Sequence, residues 1–261
     1  MRSVMDVKRH VKYGALALLV SAGLGACATP PEDPVARAEF EALNDPLEPA
    51  NRAMWDVNMA ADRYVLKPVA KQYRNMLPPA PRNGIRNVLN NLESPLIFAN
   101  DLLQGEIDRA GITLVRFIFN STIGLGGLLD VTKNEGYPRH TEDFGQTLAV
   151  WGAPEGPYLV LPLLGPRSLR HGVGTAVEWI ADPVDYLLDD IAGQWAVYTR
   201  TGLDIVDTRA RSIESFEAIE KSSIDLYATV RSAYRQRREQ EIANGSADGD
   251  PVSADEFEFT Y

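Results

Sequence analysis

Two clusters in this chain have the residue types and spacing that chemistry would need. The first is His140-Thr141-Glu142-Asp143. A histidine beside carboxylates can form a general-base dyad, and the same run also reads as a helix start, where a carboxylate accepts from free backbone N–H groups. The second, Asp182, Asp185, Asp189 and Asp190, sets two or three carboxylates on one helical face, which would suit a hard cation; alternating with apolar residues, it also reads as a solvated face. Neither cluster has its complement elsewhere. The sequence contains no His-Glu-x-x-His and no Gly-x-Ser-x-Gly, and Gly124, Gly126 and Gly127 lack the Lys-Ser or Lys-Thr of a phosphate loop. We therefore expect no catalytic residues, no metal and no cofactor.

The amino terminus carries a different kind of chemistry. Arg2, Lys8, Arg9 and Lys12 precede an apolar run from Tyr13 to Leu24, and Leu24-Gly25-Ala26-Cys27 follows. These are the charged, apolar and small-residue parts of a secretory signal, so residues 1–26 read as a signal peptide. Leu24 to Cys27 look like the lipobox of bacterial lipoproteins, which makes Cys27 the expected lipid anchor. A retained membrane helix is the alternative, but the run is short against the roughly 20 residues a span needs. Cys27 is the sole cysteine, which excludes an intramolecular disulfide. Ala28 rather than Asp follows it. In bacteria that retain Asp-bearing lipoproteins, that implies release to the outer membrane.

Losing Arg2, Lys8, Arg9 and Lys12 together with Asp6 takes the net charge from −10 to −13. Such a chain is repelled by nucleic acid and by anionic lipid surfaces. Contact with a bilayer beyond the acyl chains must then come from apolar surface.

Residues 27–43, with Pro30, Pro31 and Pro34 among acidic residues, read as a lipidated tether, and residues 245–261 as an acidic disordered tail. Between them, residues 44–244 read as one mostly α domain. Asp45-Pro46, Ser94-Pro95 and Asp182-Pro183 each place a capping oxygen before a proline, and so predict three helix starts. Trp55, Met59 and Leu66 lie near one stripe of a first helix, which Lys67-Pro68 should end or kink. Val173, Val177, Ile180, Val184, Leu187, Leu188 and Ile191 recur at spacings of three and four, split by Pro183 into two helices. Ile224, Tyr227, Val230 and Tyr234 mark a last helix, with Arg235, Arg237 and Arg238 near its C-terminal dipole and Asn244-Gly245 as its stop.

Two segments depart from this pattern. Phe117 to Leu129 has no charge and mixes bulky aliphatics with glycine, and Gly156 to Pro166 is a second uncharged run. Both read either as buried core or as apolar loops and short helices lying in one membrane leaflet. The second reading follows from the cost of exposing such loops to water.

Separate blocks of residues, in order, carry a resemblance. They are Asn44-Asp45-Pro46-Leu47-Glu48-Pro49-Ala50-Asn51-Arg52, Asp62-Arg63-Tyr64-Val65-Leu66-Lys67-Pro68-Val69-Ala70, Asn120-Ser121-Thr122-Ile123-Gly124, Asp143-Phe144-Gly145-Gln146-Thr147, Gly156-Pro157-Tyr158-Leu159-Val160-Leu161-Pro162 and Gly165-Pro166. Ser222-Ser223, Asp225, Tyr227, Arg231 and Tyr234 extend the match. Over about Asn44 to Gly245 the chain resembles the MlaA (VacJ) family of outer-membrane lipoproteins, departing at Ala50, where an aromatic or glycine is common.

The resemblance implies a ring of amphipathic helices with a central amphipathic channel, lying in the periplasmic leaflet of the outer membrane. It implies a lipoprotein that removes phospholipids from the outer leaflet and so maintains lipid asymmetry. Its implied partners are phospholipid, a trimeric outer-membrane porin and a soluble periplasmic lipid carrier. On that reading Ile123, Leu125, Leu128, Leu129 and Val131 are expected in the apolar channel wall or a mobile gate, with core packing open for each. Asn51 and Arg52 are expected as a conformational control point at the start of the first helix. The rival readings are a lipid-acting hydrolase, which needs an activated nucleophile, and a structural porin-binding lipoprotein.

Overall fold

The structure is a computed structural model, which describes Asp33 and residues 44–133 and 135–244. The signal peptide, Cys27, the tether apart from Asp33, and the acidic tail lie outside the described residues. The described chain is mostly helical: α1 (Glu48–Ala61), a π-helical turn (Asp62–Leu66), α2 (Lys67–Met76), α3 (Pro79–Gln104), α4 (Ile107–Thr122) and α5 (Phe144–Val150), then a β-hairpin. The hairpin pairs β1 (Tyr158–Leu161) antiparallel with β2 (Gly165–Ser168), Tyr158 opposite Ser168. There follow α6 (Leu169–Ala181), α7 (Pro183–Ala192), α8 (Gln194–Arg211), α9 (Ile213–Ser222) and α10 (Leu226–Ile242).

Of the three expected Asx/Ser-Pro starts, one forms as read. Asp182 caps α7, its Oδ1 accepting from Val184 N at 2.9 Å, with Pro183 in the first turn. Asp45 does not cap α1, whose N-cap is Leu47 with no side-chain hydrogen bond. Its carboxylate is instead buried between the Tyr227 hydroxyl and the Arg231 guanidinium, at 2.5 and 2.7 Å. Ser94-Pro95 starts nothing, because α3 runs through it. Ser94 Oγ donates back to the Asn90 carbonyl at 3.3 Å, and the neighbouring turns carry the helix past the one bond that Pro95 cannot make.

At Lys67-Pro68 the helix neither ends nor leaves the α region: Lys67 has φ −60° and ψ −45°. The wider turn before it absorbs the proline, with Lys67 N reaching back five residues to the Asp62 carbonyl. The last helix begins later than its apolar stripe suggests. Asp225 caps it, Ile224 stands outside it fully exposed, and Arg235, Arg237 and Arg238 lie before its last turn. Asn244, at φ 52°, marks the stop. The run from Gly156 to Pro166, expected as core or leaflet loop, is the hairpin: Tyr158 and Val160 face inward, while Leu163 at its tip is exposed.

The apolar core is small. Trp55, Tyr158, Val160, Phe216, Tyr227, Val230 and Tyr234 form one cluster, joining α1, the hairpin, α9 and α10. Ala70, Ala210 and Ile213 form another between α2, α8 and the start of α9. Buried ion pairs add to these, notably the fork of Arg209 on Asp62 at 2.7 and 2.9 Å, each side chain 3% exposed. Such a pair is close to neutral overall but costs about 3–5 kcal/mol to break from one side, so it fixes register more than it stabilises. Among the described residues no helix is long and apolar enough to cross a membrane.

Candidate functional site

Helix α4 is inverted relative to a water-soluble helix. Ile107, Leu114 and Ile118, spaced seven and four residues apart, are exposed along one side, with Phe119 beside them. Its buried positions are Ala110, Thr113, Arg116 and Asn120. A helix whose solvent face is apolar and whose inner face carries an arginine faces something other than water.

The inner face is fully engaged. Thr113 Oγ1 donates to Asp101 Oδ2 at 2.7 Å, Arg116 donates to Asp130 and to the Tyr137 carbonyl at 2.7 Å each, and Asn120 holds Asp130 and the Val131 amide. Burial would raise the Asp130 carboxyl, but the hydrogen bond and charge of Arg116 outweigh it and hold Asp130 below the usual range.

The same pattern extends along much of the chain. Large apolar side chains are exposed on every helix from α1 to α8, whereas α9 and α10 expose none. Three of the four tryptophans, Trp151, Trp179 and Trp195, are 55%, 64% and 79% exposed, and only Trp55 is buried. Tryptophan prefers the boundary between lipid tails and headgroups, and aqueous exposure wastes about 1.5–3 kcal/mol per large apolar side chain. The exposed apolar surface thus belongs to α1–α8, and α9 and α10 contribute no large apolar side chain to it.

The predicted gate residues fall in the tight turn after α4. Ile123, Leu125, Leu128 and Leu129 are 62%, 69%, 45% and 52% exposed, and Val131 is partly buried. None of the five lines the larger cavity described below. The turn is pressed against its neighbours: a Cβ on Gly124 would lie 2.3 Å from the Leu129 carbonyl oxygen, and one on Gly127 (φ 93°) 2.6 Å from Asn91 Cβ.

Asn51 and Arg52 tie α1 to the rest. Asn51 Nδ2 donates to Asp45 Oδ1 at 2.7 Å and to the Tyr158 carbonyl at 3.0 Å, while its Oδ1 accepts from Val160 N at 2.9 Å. Two turns on, Asn58 does the same for the Leu161 carbonyl and the Leu163 amide, at 2.8 and 2.9 Å. Arg52 pairs with Glu48 and Asp225 at 2.7 Å each and lies 4.4 Å over the Tyr227 ring.

The clusters that could do chemistry are otherwise occupied. His140 stands in a loop, and Asp143, not His140, starts a helix by accepting from Gln146 N. His140 Nε2 meets Asp101 at 3.0 Å and Thr113 at 3.2 Å. A relay needs the acid and the hydroxyl on different ring nitrogens; here both share one, and Thr113 donates directly to Asp101. Asp182 and Asp185 both pair with Arg200, at 2.6 and 2.7 Å. Among the described residues no group of His, Cys, Asp or Glu is placed to hold a metal ion.

A cavity of about 360 Å³ lies between α3, α5, β2, α6, α7, α8 and α10. Its carboxylates are mostly held in ion pairs: Asp143 and Glu241 by Arg238, Asp182 and Asp185 by Arg200, Glu142 by Arg109, Glu93 by Arg139 and Asp204 by Arg86. Burial, then the charges of Arg238 and Arg167, hold His171 unprotonated, so its Nδ1 can accept from the Tyr234 hydroxyl at 3.0 Å.

Two charged groups on the wall have no ionic partner among the described residues. Arg167, 8% exposed, makes one hydrogen bond, to the Pro166 carbonyl, and its Nε is buried without an acceptor. An orphaned buried donor costs about 1–3 kcal/mol. Glu178 accepts from Phe144 N at 2.7 Å and Asn100 Nδ2 at 3.4 Å, both on Oε1. Burial, then the charge of Asp143, pushes its carboxyl up to about 7. Nothing in the spacing of the sequence marked Arg167 or Glu178, because what distinguishes them is the partners they lack.

Comparison with known proteins agrees with this architecture. Residues 43–241 match the family model described as MlaA lipoprotein. A relative in Haemophilus influenzae, the intermembrane phospholipid transport system lipoprotein MlaA, is 33% identical over 88% of this chain and 90% of its own. The protein of the same description in Escherichia coli is 34% identical over 90% of each chain. A solved structure reported as the structural basis for maintenance of bacterial outer membrane lipid asymmetry superposes with a TM-score of 0.67 at 35% identity. It covers 76% of this chain and 98% of the other.

Proposed function

Because the chain belongs to the MlaA lipoprotein family, we propose that it is an intermembrane phospholipid transport lipoprotein. On this reading it takes phospholipids from the outer leaflet of the outer membrane, passes them to a periplasmic carrier and so maintains lipid asymmetry. The observation that carries the reading is the inverted helix α4: apolar residues outward, Arg116 and Asn120 inward. Lipid tails can meet the apolar exterior while a headgroup finds polar partners inside, and passage of a lipid between those surfaces needs no bond made or broken. The same inversion supports a helical ring lying in the periplasmic leaflet with a channel through it, held by acyl chains on Cys27.

Porin and carrier fit as partners on two different sides: a trimeric porin against the apolar helices, and a soluble carrier on the side of α9 and α10. The turn bearing Ile123, Leu125, Leu128 and Leu129, with Val131 behind it, is the proposed gate. Its glycine contacts with α3 would make it move as a unit. Asn51 and Arg52 are proposed as control residues because they join α1 to the hairpin and to α10.

The test is a deletion strain scored for outer-leaflet phospholipid and detergent sensitivity. Wild type is expected to correct both defects and Cys27→Ala to fail; no defect in the deletion strain would refute the function. Leu128→Asp is expected to remain folded and membrane-bound but not to complement, and global unfolding would refute the gate. Asn51→Ala and Arg52→Ala are each expected to change permeability or surface phospholipid, and wild-type behaviour from both would remove them from the mechanism.

A further inference from the structure

We infer that the 360 Å³ cavity receives a zwitterionic headgroup of the phosphoethanolamine type, its phosphate on Arg167 and its ammonium on Glu178. The inference rests on the phospholipid reading above and adds which headgroup is preferred and what recognises it. Arg167 offers a buried Nε that no described residue accepts from. A guanidinium fork with donors to spare matches the oxygens of a phosphodiester, which it binds through charge-assisted hydrogen bonds.

Glu178 supplies the second pole. Both of its hydrogen bonds fall on Oε1, so Oε2 is left to an incoming donor. The other charged groups on the wall are already engaged in ion pairs, Asp182 and Asp185 with Arg200 and Asp143 and Glu241 with Arg238, so a ligand meets Arg167 and Glu178 as the cation and the anion not so engaged. A phosphoglycerol headgroup would satisfy Arg167 but leave Glu178 facing an added negative charge. A phosphoethanolamine headgroup answers both. The volume falls within the roughly 300–1,000 Å³ common for small-molecule sites.

The experiment uses the full acylated chain in detergent at pH 8, above the value of about 7 for Glu178. Dihexanoyl-phosphatidylethanolamine and dihexanoyl-phosphatidylglycerol are titrated against a bound phospholipid with a fluorescent acyl chain. Wild type is expected to prefer the ethanolamine lipid by about tenfold, the scale of one charge-assisted contact. Arg167→Met should weaken both lipids by about tenfold, and Arg167→Lys should recover part of the loss, which a merely structural role would not predict. Glu178→Gln should weaken the ethanolamine lipid, bind the glycerol lipid at least as tightly as wild type does, and abolish the preference.

Equal binding of the two lipids by wild type, or unchanged binding in both variants, would overturn the headgroup site. Failure of wild type to bind either lipid would instead overturn the phospholipid reading itself. If circular dichroism shows Arg167→Met unfolded, the near-isosteric Glu178→Gln decides through the ratio of the two lipids. Glycerophosphoethanolamine, a headgroup without tails, is expected to compete at least tenfold more weakly than the lipid; equal competition would assign the cavity to a soluble solute and refute a lipid site.

Discussion

Replacing Ile118 by Asp tests the inversion of α4 directly, because the expected effect depends on which medium that face meets. On an ordinary surface, such a change lies within about 0.5 kcal/mol of neutral. In a hydrocarbon environment it removes a residue favoured by a few tenths of a kcal/mol and adds one that costs about 2.5–3.5 kcal/mol. Ile118 is 49% exposed, so about half of that difference should be felt, on the order of 1.5–2 kcal/mol. That corresponds to a loss of tenfold or somewhat more in partitioning. The assay is flotation of the unacylated Cys27→Ala chain with vesicles of outer-membrane lipid, so that apolar surface alone holds the protein. Ser222→Asp, on the exposed end of α9, serves as the control and should change nothing. An Ile118→Asp chain that floats within twofold of its parent would refute the claim that α4 faces lipid.

Glu178 gives a pH prediction. Below about pH 4.5 its carboxyl is protonated in both folded and unfolded chains; between there and about 7 the unfolded chain ionises first, so folding loses stability as pH rises. Allowing for solvent in the cavity, the loss is about 2–3 kcal/mol. Asp143 raises the group further and Arg238 opposes it. Urea unfolding at pH 5 and pH 8 should therefore differ less for Glu178→Gln than for wild type by about that amount, and an equal difference would contradict the assignment. In the turn after α4, Gly126→Ala faces open space and should cost about 1–2 kcal/mol for its φ of 73° alone. Gly127→Ala meets Asn91 as well and should cost more in thermal unfolding; the reverse order would mean the turn is not packed against α3.

Helix content was legible in the sequence wherever local chemistry decided it. Asp182-Pro183 has no distant competitor for its N-capping oxygen and forms the helix start it spells. Asp45-Pro46 carries the same local signal, but Tyr227 and Arg231, more than 180 residues away in sequence, claim the carboxylate. Proline in Lys67-Pro68 signals a break, yet a π turn is a third option that spacing rules do not include. The hairpin was hidden for another reason: Tyr158 to Leu164 is apolar throughout, so its alternating burial leaves no alternation in residue type. On the functional side, the uncharged stretch after Phe117 was visible. That Arg116 and Asn120 point inward was not, because it depends on Asp130 and Tyr137 folding back over α4.

The two asparagines of α1 have a consequence for aggregation. A two-stranded hairpin normally leaves a rim of free amides and carbonyls that invites a foreign chain to add a strand, and alone it is marginally stable in water. Asn51 and Asn58, seven residues apart, occupy that rim on β1 with amide groups of their own. The helix thus imitates a third strand that cannot propagate, which protects a protein exposing this much apolar surface from being templated into larger sheets before it reaches its membrane.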